Sequence, residues 1–347
     1  MNKRDELRPL RPINEAERAR VKRAPNQRRD FDRDNLNNRP RKKKKFNKGK
    51  KNRILLILLL MVIVFALIKS GVFSKNTTKK VEELPEEEEQ LELGTDLIEK
   101  YGEEGLKDRL RSAKENFEYD PDKSFISQFE ELKEYIPEAQ LIIDHMRDIP
   151  GHIMLTTLMF PENFMWTYGY ISEQKGTEAL IEQAKYKDIP YYIQTDSRWG
   201  YKKEDDLTVG FVGCGPTAMA MVASAITGDE TYTPDRMMDY VVEKGHYSYD
   251  VGTHWSFWTD APKEFGFKSR ELALDKEAIY NELQKGNYII VSVGPGDFTY
   301  GGHYIVLAGI EDGELKVLDP NSWINTEKTW TYEKIKPQVK NLWVFSK

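Results

Sequence analysis

Fifteen consecutive apolar residues, Ile54 to Ile68, open the stretch ILLILLLMVIVFALIKSGVF at 54–73, and nothing else in the chain constrains it as strongly. A run that long has no polar face to turn to water. It reaches the ~20 residues a spanning helix needs, and Lys69 can snorkel its ammonium into the headgroups. A secretory signal is the rival reading, with an apolar region of ~7–15 residues and a small-residue cleavage site. The 53 residues ahead of the run and the lack of an A-x-A pattern after it favour an uncleaved transmembrane helix.

The charges on either side orient that helix. Residues 1–53 hold 21 Lys and Arg against 7 Asp and Glu, a net of +14, so residues 54–347 carry −19 of the chain total of −5. Nine cations in RKKKKFNKGKKNR directly precede the apolar run, and EELPEEEEQLELG follows it. By the positive-inside rule the N-terminus stays in the cytoplasm and residues 74–347 lie outside the cell membrane. The tail 1–53 is polar and nearly free of large apolar residues, which predicts disorder; it reads as a segment facing anionic lipid headgroups rather than nucleic acid.

Beyond the membrane, residues 74–94 form a charged stalk with Pro85 at its centre. Residues 95–187 show apolar positions at three- and four-residue spacing, stopped by Pro and Gly, and read as a helical region that packs rather than reacts. His145 and His152 in it read as structural or surface residues. From 188 to 347 short β-rich runs (PYYIQ, YIIVSVG, HYIVLAGI, ELKVLDP) alternate with helical ones, giving an α+β domain.

That domain holds Cys214, the single cysteine of the chain, in TVGFVGCGPTAMAMVASAITG. Ala and Met favour a helix after it, Pro216 suits a first turn and Gly228 suits a stop, so Cys214 sits at a helix N-terminus. The positive end of a helix favours a thiolate, the nucleophilic form of sulfur. Burial as a small hydrophobe is the competing reading. A nucleophilic thiol needs a base, and His303 follows two glycines on a predicted strand.

Asp319, at the end of the next strand, can fix the imidazole if both side chains share a face. Taking Glu311-Asp312-Gly313 as a three-residue loop with a bulge at Gly313 pairs Ile305 with Asp319 and puts His303, Ile305, Leu307, Leu315, Val317 and Asp319 on one face. A two-residue loop at Asp312-Gly313 puts Asp319 on the wrong face. In the bulged register Asn321 stands opposite His303 as a reserve orienter. Gln194 is a candidate oxyanion donor beside the Cys214 backbone N–H.

IPYYIQTDSRWG, GCGPTAMAMV, GGHYIVLAG and VLDPN, in that order over residues 188 to about 345, resemble the papain-like cysteine peptidases related to the bacteriocin-leader, or double-glycine, peptidases, in a stand-alone extracellular form. The resemblance implies a papain-like fold in which the helix carrying Cys214 packs on an antiparallel sheet carrying His303 and Asp319. It implies Cys214 as nucleophile, His303 as general base and acid, Asp319 as orienter and Gln194 as oxyanion donor, acting on a peptide or protein substrate without a cofactor. Bacteriocin-processing members are usually fused to a transporter, whereas this sequence has no G-x-x-x-x-G-K-[ST] motif, so recognition of a double-glycine leader does not carry over.

The other candidates are weaker. Zinc takes three or four protein ligands at recognisable spacing, and His246 and His254 have no third partner nearby, so no metal is expected. Tyr247, Tyr249, Trp255, Phe257 and Trp258 are candidates to wall a cleft, and SVGPGDFTYGG at 292–302 reads as a mobile loop beside His303. Two alternatives to a peptidase stay open: a cell-wall peptide amidase or transpeptidase using the same triad, and a surface binding module with an idle thiol.

Overall fold

The computed structural model describes residues 91–181 and 185–347. The basic tail, the apolar span 54–73 and the stalk up to residue 90 lie outside the described residues. No helix among the described residues is long and apolar enough to cross a membrane.

Among the described residues six helices come first: α1 (Leu97–Tyr101), α2 (Glu103–Asn116), α3 (Phe125–Leu132), α4 (Ala139–Asp144), α5 (Gly151–Met159) and α6 (Phe164–Ser172). Their starts follow from local chemistry. The Asp96 carboxylate accepts from the N–H groups of Ile98 and Glu99 at the head of α1, and the Ser124 hydroxyl caps α3. In α2, Leu106, Leu110 and Ala113 recur on one buried stripe. Between α5 and α6, a 3-10 turn at Pro161–Asn163 reverses the chain.

Two short hairpins follow, β1 (Lys185–Tyr186) with β2 (Ile189–Pro190) and β3 (Lys203–Glu204) with β4 (Leu207–Thr208). Then come α7 (Val209–Val212), α8 (Cys214–Thr227), α9 (Pro234–Glu243), a third hairpin of β5 (Tyr247–Ser248) and β6 (Gly252–Thr253), and α10 (Phe257–Phe265). The remainder is β7 (Lys268–Glu271), α11 (Lys276–Gln284), β8 (Tyr288–Val293), β9 (His303–Glu311), β10 (Glu314–Leu318), α12 (Trp323–Glu327), β11 (Thr329–Trp330), α13 (Tyr332–Ile335) and β12 (Val339–Ser346). The last six strands make one sheet, ordered β11-β10-β9-β8-β12-β7, with every neighbouring pair antiparallel.

The twofold alternation of side chains along a strand gives the sheet two apolar faces. Ile290, Tyr304, Val306, Ala308, Trp343 and Phe345 join the core that also holds the buried residues of α8. Ile289, Val291, Ile305, Leu307, Leu342 and Val344 pack with Ile279 and Leu283 of α11 and with Tyr332 and Ile335 of α13. The first cluster also takes in Leu106, Ile153 and Trp166 from the N-terminal helices, so one continuous core runs from Leu97 to Phe345.

The β9–β10 hairpin corrects one expectation. Its loop is the two-residue one, with Glu311 paired to Glu314 and both Asp312 (φ 50°) and Gly313 (φ 84°) in the left-handed region that a type I′ turn requires. The extra residue is Ala308: Gly309 pairs with Lys316 but Leu307 pairs with Val317, so the bulge lies inside β9 and not at Gly313. Beyond the bulge the register is the one that brings His303 and Asp319 to a common face.

Candidate active site

Cys214 is the first residue of α8, with Gly213 as its cap residue. A methyl group in place of the hydrogen at Gly215 would lie 2.4 Å from the Thr253 hydroxyl, and one at Gly210 would lie 2.4 Å from the Trp166 ring. The thiol therefore sits on backbone pressed tightly between the β6 strand and the N-terminal helices. The side chain is neither fully buried nor fully exposed, and it faces a cleft of about 1000 Å3.

His303 opens β9 and is 6% exposed. Its Nε2 meets Asp319 Oδ1 at 2.7 Å, and its ring lies beside the Cys214 side chain. Burial opposes charging the ring, but the Asp319 carboxylate and the neighbouring sulfur outweigh it and push the His303 pKa up to about 10. The imidazole is thus held as a cation at neutral pH.

Asp319 follows β10 and is fully buried. Its Oδ1 also accepts from the Asn321 N–H at 2.9 Å, and its Oδ2 accepts from Asn325 Nδ2 at 2.9 Å. Its backbone is fixed as firmly, with the N–H donating to Thr326 Oγ1 and the carbonyl accepting from Tyr191 Oη at 2.8 Å. A carboxylate buried with this many donors keeps its orientation. Asn321 meets Asp319 through its backbone, so its expected reserve role opposite His303 is not what the structure has; the β9–β10 pairing stops at Leu318.

Gln194 lines the same cleft and is 3% exposed. Its backbone N–H donates to the Pro320 carbonyl at 2.7 Å, tying it to the Asp319 loop. Its Nε2 donates to the Gly210 carbonyl at 2.9 Å. Only the NH2 group can face a carbonyl, so this bond fixes the amide orientation, and one amide hydrogen remains for another acceptor. The structure therefore gathers Cys214, His303 and Gln194 around one cleft, with Asp319 behind His303.

Three groups in this framework escaped the sequence reading. Asn325 lies at the start of α12, whose cap Ser322 accepts from the Asn325 N–H; a Ser-x-x-Asn capping pattern just after the aspartate was the available signal. Asn163 Nδ2 donates to the Asn321 carbonyl at 2.8 Å. Glu162, fully buried, accepts from the Ser322 hydroxyl and pairs with Lys114 at 3.1 Å, while its carbonyl accepts from Trp323 Nε1. The turn at 161–163 thus braces the Asp319 loop from about 160 residues away, which no local pattern signals.

The 292–302 stretch, read as a mobile loop, is anchored at Asp297 and Phe298, while Tyr300, Gly301 and Gly302 next to His303 are exposed. Phe298 is fully buried with its ring 4.4 Å from that of Trp330. Asp297 exchanges hydrogen bonds with the Gln338 side chain and pairs with Lys334. Of the aromatic set, Tyr247, Tyr249 and Trp255 line the cleft, whereas Phe257 and Trp258 are core. Outside the cleft, His246 and His254 contact Ser256 and Ser248 respectively, His152 contacts Thr208, and His145 lies 3.9 Å from Asp148, except that His254 also reaches the cleft edge.

Comparison with known proteins bears on residues 186–346, which match the model of the Peptidase_C39 like family. Among solved structures, the chain is similar to the peptidase domain of Streptococcus ComA, a bi-functional ABC transporter involved in a quorum sensing pathway. That match has 22% identity and a TM-score of 0.31, and covers 39% of this chain and 91% of that one. It is also similar to a putative C39-like peptidase from Bacillus anthracis, with 16% identity, a TM-score of 0.31, and 46% and 95% of the two chains covered. No curated protein matches the chain. The likeness to the Peptidase_C39 like family is thus confined to residues 186–346, just under half of the chain.

Proposed function

We propose that the chain is a membrane-anchored cysteine peptidase with a papain-like arrangement, held by the helix 54–73 and acting outside the cell on peptide or protein substrates. The observation that carries the reading is the buried 2.7 Å contact of His303 with Asp319, beside Cys214 at the head of α8. The match of residues 186–346 to a peptidase family model supports it.

In this mechanism a cationic His303 favours the thiolate on its neighbour, and the sulfur of Cys214 attacks the scissile carbonyl. Negative charge develops on the carbonyl oxygen, and the free amide hydrogen of Gln194 and the Cys214 backbone N–H are the donors offered to it. His303 passes its proton to the leaving amine as the C–N bond breaks, leaving an acyl-enzyme. A water then loses a proton to His303, attacks the thioester carbon and releases the acid, regenerating the thiolate and imidazolium. Asp319 holds Nε2 throughout, so that the other ring nitrogen is the one that exchanges protons.

The test is hydrolysis of a protein substrate and of purified cell-wall peptide by the full chain and by Cys214→Ala. Loss of protein hydrolysis in the variant is expected. Unchanged hydrolysis would overturn the reading, and cleavage confined to cell-wall peptide would reassign the enzyme to an amidase.

A further inference from the structure

The N-terminal helices precede the family-matched residues 186–346, yet they supply part of the cleft. Helix α5 is mostly apolar, with His152, Thr156 and Thr157 as its polar side chains. Ile153 and Leu158 enter the core, but Leu155 and Met159, one turn apart and so on one face, stay half-buried and line the cleft. Phe160 continues this wall, its ring 6.2 Å from that of Tyr300 across the cleft mouth. A helix face of this composition is ordinarily packed away from water.

Other parts of the lining are apolar too. Tyr249 (60% exposed) and Trp255 (49% exposed) belong to the cleft lining, and Trp255 is held in place by its edge contact with Trp343 at 5.5 Å. Half of the exposed large hydrophobic residues among those described rim this one cleft. Exposed apolar surface gathered at one place marks a binding surface. Asp250 is the one carboxylate among the lining residues, and no lysine or arginine lines it.

We infer that Leu155, Met159 and Phe160 form a specificity wall, and that this wall selects an extended peptide carrying a bulky apolar or aromatic side chain. The inference rests on the peptidase reading for the identity of the cleft as a substrate site, but the binding it describes does not need turnover. Leu155, Met159 and Phe160 carry no charge themselves, so an ionic side chain seated on this wall, away from Asp250 and His303, would lose hydration without gaining a partner. The roughly 1000 Å3 of space is more than a glycine pair would fill.

The experiment measures binding of fluorescein-labelled, N-acetylated alanine octapeptides to the full-length chain in detergent micelles, with Phe, Leu, Gly or Asp placed at each position in turn. The Cys214→Ala form is used so that no peptide is consumed, and the same peptides are offered to the wild type for cleavage. Phe or Leu at one position should bind about tenfold or more tighter than Gly or Asp, as expected for several methylene groups in an apolar pocket. In Leu155→Ala/Met159→Ala, that preference should shrink about tenfold, with melting temperature tracked to confirm folding. Met159→Gln, which keeps the length and removes the apolar character, should do the same to a smaller degree. Equal binding of all guests, a preference for Asp, or a preference unchanged in both variants overturns the inference. Selective binding without any cleavage by the wild type upholds the wall and overturns the peptidase reading instead.

Discussion

Replacing Asp319 by Asn probes the candidate triad at its most constrained point. Both carboxylate oxygens of Asp319 accept: Oδ1 from His303 Nε2 and the Asn321 N–H, and Oδ2 from Asn325 Nδ2. An amide has only one accepting oxygen, so whichever way Asn turns, its NH2 group faces another donor in a site with no access to water. Hydrogen bonds to charged groups contribute about 1.5–3 kcal/mol. If that is lost from the transition state, kcat/KM falls by about 10- to 150-fold. The pH profile distinguishes this from a general loosening. The His303 pKa is raised to about 10, so the imidazolium is lost as pH rises through that value and the alkaline limb of kcat/KM should lie there. Without the carboxylate, burial, which lowers the His303 pKa, is opposed only by the sulfur, and the limb should move well below 10. Steady-state kinetics from pH 5 to 11 with thermal melts as a control provide the assay. A D319N enzyme with an alkaline limb still near 10 would refute the assignment of Asp319 as the partner that keeps His303 charged.

Other expectations follow from the same geometry. Asn163→Ala removes the donor to the Asn321 carbonyl and the acceptor for the Thr195 hydroxyl, so thermal or urea unfolding should report a loss of about 1–3 kcal/mol, with kcat/KM reduced as the Asp319 loop loosens. Gly215→Ala forces a methyl group to 2.4 Å from Thr253 Oγ1, and overpacking at that approach should cost about 1–3 kcal/mol and displace Cys214, visible as a slower alkylation rate. Phe298→Ala empties a fully buried site against Trp330 and should cost about 3–5 kcal/mol, with increased hydrogen exchange in residues 297–303. Because the folded His303 pKa is raised, its contribution to stability is complete below the unfolded value near 6.5 and is lost as pH rises through about 10; melting temperature should fall across that window, and His303→Gln should flatten the fall.

The sequence carried the parts of this site that local chemistry writes down. Cys214 at a helix start followed from Pro216 and Gly228, and the common face of His303 and Asp319 followed from alternation along β9 and β10. The position of the extra residue did not follow, because moving a bulge from Gly313 to Ala308 leaves the distal register unchanged and so leaves the same apolar face. A two-residue loop satisfies Asp312 and Gly313 locally, and Ala308 joins the core cluster that includes α8, a long-range placement that no local pattern states. The braces at Glu162 and Asn163 were illegible for another reason. They are single polar residues inside an apolar helical stretch, and their partners at 321–323 become neighbours only through the fold. The anchoring of Asp297 and Phe298 is likewise long-range, through Gln338 and Trp330, and a Gly-rich composition alone suggested freedom instead.

The single cysteine makes the central claim directly measurable, since every alkylation event reports on Cys214. The second-order rate with iodoacetamide at pH 6 should exceed that of free cysteine at least about tenfold in the wild type, because the His303 ring lies beside the sulfur as its proton partner. In His303→Ala the rate should drop to the free-cysteine level. A wild-type rate no higher than free cysteine, or a rate unaffected by removing His303, would contradict Cys214 and His303 as a nucleophilic pair.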